Sequence, residues 1–199
     1  MPKPAFSNPT AKFLPEAKAF ADAYQAKYVT APGPYSTLSY DAMNLLAAAS
    51  AAGSTVRTVV VKSAALVYGC GPKDPYWFRE TDKRVSSPHT RVERSLLEVE
   101  SYVRDFARDN PHVNLTMLRL CNVVGPDIET PLLSALQLPL VPKVAGFDPR
   151  FQLVHEDDVV AALLFALERQ VPGIFNVAGD DALPWSEIMA IAGKRGIPM

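Results

Sequence analysis

Few residues in this 199-residue chain could do chemistry. Its three histidines, His89, His112 and His155, stand far apart and none lies four residues from another, so a helical pair of metal ligands is excluded. His155-Glu156-Asp157-Asp158 is the one run that looks like ligands. It reads instead as a strand end followed by the first turn of a helix, where the dipole favours acids. Cys70 and Cys121 are too few for a disulfide framework or a zinc cluster, and their apolar surroundings predict two buried thiols. Neither a G-x-S-x-G elbow nor a G-x-x-x-x-G-K phosphate loop occurs. Gly69-Cys70-Gly71 begins like a dinucleotide loop. Asp74 stands where its third glycine belongs, however, and Pro72 and Pro75 interrupt the helix that should hold the pyrophosphate.

The elements that would position these residues can be read from periodicity. Pro15 suits a first helical position, and Phe20, Tyr24 and Tyr28 recur on one face, predicting a helix over 15–28. Residues 30–34 must turn, and a second helix follows over 36–52, closed by Gly53. Thr58-Val59-Val60-Val61 is β-branched and continuous, as in a parallel strand covered on both faces. Between Arg91 and Arg108, apolar residues at 92, 96, 99, 103 and 106 form a helical stripe, with Glu100/Arg104 an i,i+4 pair. A strand over 113–124, a helix over 156–168, a short strand over 174–178 and a helix opening at Pro184 and closing near Lys194-Arg195-Gly196 complete the series. Strands alternating with helices predict an α/β fold with a parallel sheet.

Composition narrows the function classes. Hydrophobic residues make 48% and charged residues 21%, which excludes disorder. A formal net charge of -1 offers no basic surplus for nucleic acid, and no apolar run approaches the roughly 20 residues of a membrane span. The start has no apolar signal core, so the expectation is a cytoplasmic protein with a small-molecule ligand.

From about Val56 to Met199, four motifs in order resemble the extended short-chain dehydrogenase/reductase family, the NAD-dependent epimerases and dehydratases. Val59 through Gly69 is similar to its strand ending S-S-x-x-V-Y-G, and Leu118-Arg119-Leu120-Cys121-Asn122-Val123-Val124-Gly125-Pro126 to its L-R-x-x-N-x-x-G-P segment. Gln152 through Val159 resembles F-x-H-V-D-D-V, and Gly173-Ile174-Phe175-Asn176-Val177-Ala178-Gly179 resembles G-x-x-Y-N-x-G-x. The resemblance implies a partial Rossmann-like sheet with a small C-terminal substrate lobe, divided as 1–55, 56–125 and 126–199. It implies NAD or NADP as cofactor, with Asn122 near the nicotinamide or substrate and Ser63 within reach of a ligand. Each has a plainer reading, Asn122 as a strand-end turn residue and Ser63 as a buried hydroxyl on backbone. Tyr68 is expected in the core with its hydroxyl at the surface, and His155 between sheet and helix. The family often pairs through two long helices, so a homodimer using 91–108 is a further expectation.

Two departures qualify the resemblance. The family's hydroxyl, Tyr and Lys positions fall on Ala64, Val92 and Leu96, and no tyrosine of the chain has Lys four residues later. No catalytic residue is therefore assigned, and impaired chemistry is expected, since a lost general acid/base alone costs about 10²–10⁴-fold. The glycine-rich loop that opens the family's cofactor half is also absent, which puts NAD(P) binding in doubt and predicts a truncated member. Residues 1–55 resemble part of a periplasmic branched-chain amino acid-binding protein instead, through Phe20-x-x-x-Tyr24-x-x-Lys27-Tyr28 and Tyr40-Asp41-Ala42-Met43-Asn44-Leu45-Leu46. A join near Gly53 to Val56 follows as an expectation. Alternatives are a non-catalytic ligand-binding or regulatory module on the same fold, or a chimeric fragment with no function of its own.

Overall fold

In the computed structural model, residues 46, 49–51, 53–71, 74, 77–126 and 128–198 are described. The expected helix over 15–28, the turn over 30–34 and the binding-protein-like stretch lie outside the described residues. So does most of the helix over 36–52, of which Leu46, Ala49 and Ser50 are helical, and Gly53 turns with φ +85°. The chain forms two compact units, Met1–Val56 with Leu97–Asn110 and Arg57–Leu96 with Pro111–Met199.

The second unit holds the sheet. β1 (Thr58–Ala64) is followed by a 3-10 turn (Ala65–Tyr68), then β2 (Asn114–Leu120) and β3 (Asn122–Val124) lie beyond α1 (Arg91–Asp109). Next come α2 (Pro131–Gln137), β4 (Val141–Lys143), β5 (Arg150–His155), α3 (Glu156–Arg169) and β6 (Gly173–Val177). The last elements are β7 (Ala182–Pro184), α4 (Trp185–Ile191) and β8 (Gly196–Pro198). β1, β2 and β6 make a parallel three-stranded sheet with β2 central. β3, β5 and β7 form a second, mixed sheet, and β4 pairs with β8 in parallel.

The strand expected over 113–124 is thus two strands in different sheets, broken at Cys121. Its periodicity hides the break because Leu115–Leu120 are all buried and the apolar run continues through Val124. The last helix also ends earlier than expected. It stops at Ile191, Gly193 turns with φ +65°, and Gly196 opens a strand.

Two clusters hold this unit together. Leu118 and Leu120 meet Val154 of β5 and Val159 and Ala166 of α3, with Val60, Ala162, Leu163 and Val177 packed around them. The second cluster gathers Val141, Trp185, Ile188 and Met189, where Phe151 meets Trp185 edge-on at 5.6 Å. Each fully buried aliphatic side chain is worth roughly 1.5–3 kcal/mol of transfer free energy. The buried Thr116 hydroxyl donates to the Val171 carbonyl at 2.6 Å, so the central strand carries no unsatisfied side chain there. α3 opens as expected, with Glu156, Asp157 and Asp158 in its first turn.

Candidate functional site

Parallel pairing fixes which residues share a face at the carboxyl ends of β1, β2 and β6, where open α/β sheets bind ligands. Ser63 is in register with Arg119, and Arg119 with Asn176, so the three form one row on one face. Ala64, Leu120 and Val177 form the next row on the opposite face, where Leu120 and Val177 join the cluster that α3 closes. Ser63 is buried, as is the whole of Arg119.

Tyr68 covers the polar row. Its hydroxyl donates to Asn176 Oδ1 at 2.7 Å and accepts from Arg119 Nη1 at 2.8 Å. Phe78 stacks on its ring at 4.7 Å, and the Arg119 guanidinium lies 4.8 Å from the ring centroid. Arg119 also donates to the Glu80 carbonyl at 3.3 Å, and Asn176 Nδ2 donates to the Phe78 carbonyl at 3.2 Å. The Asn176 amide donates to Glu80 Oε1, and that bond foremost holds the Glu80 carboxyl below its usual range. Tyr68 is core as expected, but its hydroxyl does not reach the surface. It is buried, because two side chains from β2 and β6 converge on it.

The start of α1 carries charge in an unexpected place. Val92, at the family's Tyr position, is 40% exposed, so it does not complete a buried stripe. Glu93 is buried instead. It takes the Arg84 guanidinium in an ion pair, accepts from the His89 amide at 3.2 Å and from Thr90 Oγ1 at 3.0 Å, and its amide donates to Thr90 Oγ1. Burial pushes the Glu93 carboxyl up, but the His89 amide, Arg84 and Thr90 outweigh it and hold the group below its usual range. Arg84 further donates to the Ser86 and Leu66 carbonyls, tying this segment to the turn after β1. Thr90-x-x-Glu93 has the spacing of a capping box, legible in the sequence, but the Glu93 carboxylate takes the His89 amide and the Thr90 hydroxyl; apolar periodicity alone does not reveal it.

Gly71, the second of the two glycines after β1, binds an internal anion. The Gly71 amide donates to Asp74 Oδ2 at 2.7 Å, and Ser86 gives its amide and hydroxyl to the same carboxylate at 3.1 and 2.7 Å. The Ser86 side chain first, then the Gly71 amide, hold the Asp74 carboxyl below its usual range. A Cβ on Gly69 would collide with Asp74, and Gly69 itself needs φ +93°. A pyrophosphate needs free amides at a helix N-terminus. Here the amide is taken and a carboxylate stands in the way, so these residues do not fit a dinucleotide.

Asn122 is exposed at the start of β3, and its Nδ2 donates to the Gln152 carbonyl at 3.2 Å. It stands where the chain leaves one sheet for the other, beside Cys121, whose amide donates to the Val177 carbonyl at 3.0 Å. The expected pair of buried thiols is corrected: Cys70 is exposed and Cys121 only half-buried, because the first lies in a loop and the second at the sheet break. Burial still pushes the Cys121 thiol up, so it is no ready thiolate. His155 is likewise exposed and does not pack between sheet and helix. It caps α3, with Nδ1 accepting from the Asp157 amide at 3.3 Å. Among the described residues no group of His, Cys, Asp and Glu could hold a metal.

A sequence profile described as the NAD dependent epimerase/dehydratase family matches residues 40–178. The chain belongs to the NAD-dependent epimerase/dehydratase family. The match begins ahead of Val56, inside the stretch that resembles a binding protein. An uncharacterized protein of Mycobacterium tuberculosis is 40% identical over 159 residues, 79% of this chain and 42% of that protein. This family member therefore spans less than half the length of that relative. Among solved structures, an NAD-dependent NDP-hexosamine 5,6-dehydratase of tunicamycin biosynthesis is similar with a TM-score of 0.67 and 20% identity, over 80% of this chain and 55% of that one. RMD from Pseudomonas aeruginosa, solved with NADPH, is similar with a TM-score of 0.64 and 20% identity, over 80% and 60%. These likenesses show the α/β fold with its parallel sheet and flanking helices. No helix among the described residues is long and apolar enough to cross a membrane.

Proposed function

We propose that this epimerase/dehydratase family member is catalytically impaired and does not carry out hydride and proton transfer unaided. The observation that carries this reading is the set of residues at the three reacting positions, Ala64, Val92 and Leu96. None can hold or move a proton. Val92 faces solvent, while the buried charge beside it, Glu93, is committed to Arg84 and the helix cap. The occupied amide of Gly71 supports weak or absent binding of NAD or NADP.

The test is a thermal melt of the purified chain with NAD, NADH, NADP or NADPH, followed by an assay for reduced cofactor with NDP-hexoses. A ligand at 100 times its Kd adds about 2.7 kcal/mol, several degrees for a domain of this size. The expected result is no shift and no turnover. Turnover by the unaltered chain would overturn the proposal.

Exposed Asn122, at the junction of the two sheets, favours a second reading as a non-catalytic module for a small-molecule ligand. That reading expects a ligand-dependent shift without turnover. In either case we place the protein in the cytoplasm and infer that it pairs as a homodimer through α1. Sedimentation equilibrium of the unaltered chain tests the pairing.

A further inference from the structure

We propose that the flank of α3 carrying Asp158, Phe165 and Arg169 is an interface for a second copy of this chain, laid antiparallel about a two-fold axis. α3 turns Val159 and Ala166 into the core cluster, with Ala162 and Leu163 packed against it. At roughly 100° per residue, Asp158, Ala161 with Ala162, Phe165 and Arg169 fall at i, i+3 and i+4, i+7 and i+11, one stripe down the side of the helix. Asp158, Ala161 and Arg169 are exposed, and Phe165, a large apolar ring, is 58% exposed. The Arg169 guanidinium lies 5.6 Å from the Phe165 ring centroid, so ring and base stand together at one end of the stripe. Val171 and Phe175, also exposed, continue the apolar area where the chain leaves α3 for β6.

The stripe is its own complement, with an acid at one end, a base at the other and small residues beside the ring. A two-fold axis through its middle brings Asp158 of each copy to Arg169 of the other, so two opposite-charge contacts form in one pair. The same rotation sets each Phe165 ring against Ala161 and Ala162 of the other copy. A large side chain opposite small ones lets two antiparallel helices close without a void. Asp157 and Glu168 each lie one residue, about 100°, from the charged ends, on the outer side of the helix, where solvent and salt screen them. A partner of one charge sign would leave one end of the stripe facing its like, which selects the second copy. This contact is separate from pairing through α1, and the two together make a tetramer.

The experiment is sedimentation equilibrium of the full chain, unaltered and as Asp158→Arg and Arg169→Asp, each alone and the two mixed. Each single reversal sets like charges against each other between identical chains and should weaken one association step about tenfold or more. The equimolar mixture should regain that step, since a mixed pair again sets base against acid at both contacts. Phe165→Ala, which keeps a good helix former in place, should weaken the same step alone. All three positions are exposed, and a thermal melt of each variant checks that it folds. A chain that stays monomeric overturns the proposal, as does an association step indifferent to the reversals or to Phe165→Ala. Weakened single variants that the mixture does not rescue overturn it too, because the loss then comes from charge at the helix ends and not from a contact between copies. Pairing through α1 would survive all of these variants as a step of its own, so the two contacts fail separately.

Discussion

Tyr68 shows how much one hydroxyl can hold at the residue scale. It links β2 to β6 by accepting from the buried Arg119 and donating to the half-buried Asn176. Tyr68→Phe removes the bridge and takes one hydrogen bond each from the buried Arg119 and the half-buried Asn176. The expected cost is about 1–3 kcal/mol, read as a lower midpoint in urea at unchanged slope. The carboxylates predict a pH dependence with a definite sign. Asp74, Glu80, Glu93 and Asp148 are all held below their ordinary values, Asp148 chiefly by the Ser186 side chain and amide. A group whose folded pKa is depressed contributes stability above its unfolded value and loses it as pH falls through the folded one. The melting temperature should therefore be flat above the ordinary carboxylate range and fall as pH drops through and below it. A midpoint that rises on acidification from pH 5 to pH 3 would contradict this assignment.

At the scale of the element, caps and core contacts decide where helices start and how firmly they sit. α1 begins at a Thr90 cap and α2 at Thr130, whose oxygen accepts from the Leu133 amide at 3.2 Å. Thr90→Ala should cost about 0.5–2 kcal/mol, and Thr90→Ser should restore most of it, as thermal melts of the two variants would show. Leu118 is buried against β5 and α3, so Leu118→Ala should cost about 2–5 kcal/mol through lost transfer energy and the cavity left behind. A cost below 1 kcal/mol would mean that α3 collapses onto the gap.

Across the whole molecule, protection from hydrogen exchange should follow the sheet order. β2 is central and buried from Leu115 to Leu120, whereas β1 and β6 are its half-covered neighbours. Amides of β2 should exchange slowest in the described sheet, and faster exchange in β2 than in β1 would show that the cover of β1 is underestimated. The two compact units each have their own internal contacts, so thermal unfolding should be examined for two transitions by calorimetry.

The sequence by itself determined the α/β class, the parallel strands at Thr58 and Asn114, the acids at the head of α3, and the family through four ordered motifs. These are local properties: β-branching, helical period, dipole preference and short motifs need no distant partner to be read. It also determined that Ala64, Val92 and Leu96 lack protons to move, because side-chain chemistry is fixed by residue type. Only the tertiary structure decided the rest. The break at Cys121 follows from which sheet each half of one apolar run joins. The burial of the Tyr68 hydroxyl follows from parallel register, which brings Arg119 and Asn176 to it from 51 and 108 residues away. Val92 was legible as apolar but not as exposed, since its neighbour Glu93 found a buried partner in Arg84. Asp74 became an internal anion for Gly71 only when Ser86 folded back onto it. The last three are pairings of polar groups, whose energy depends on burial and geometry that a linear pattern does not carry.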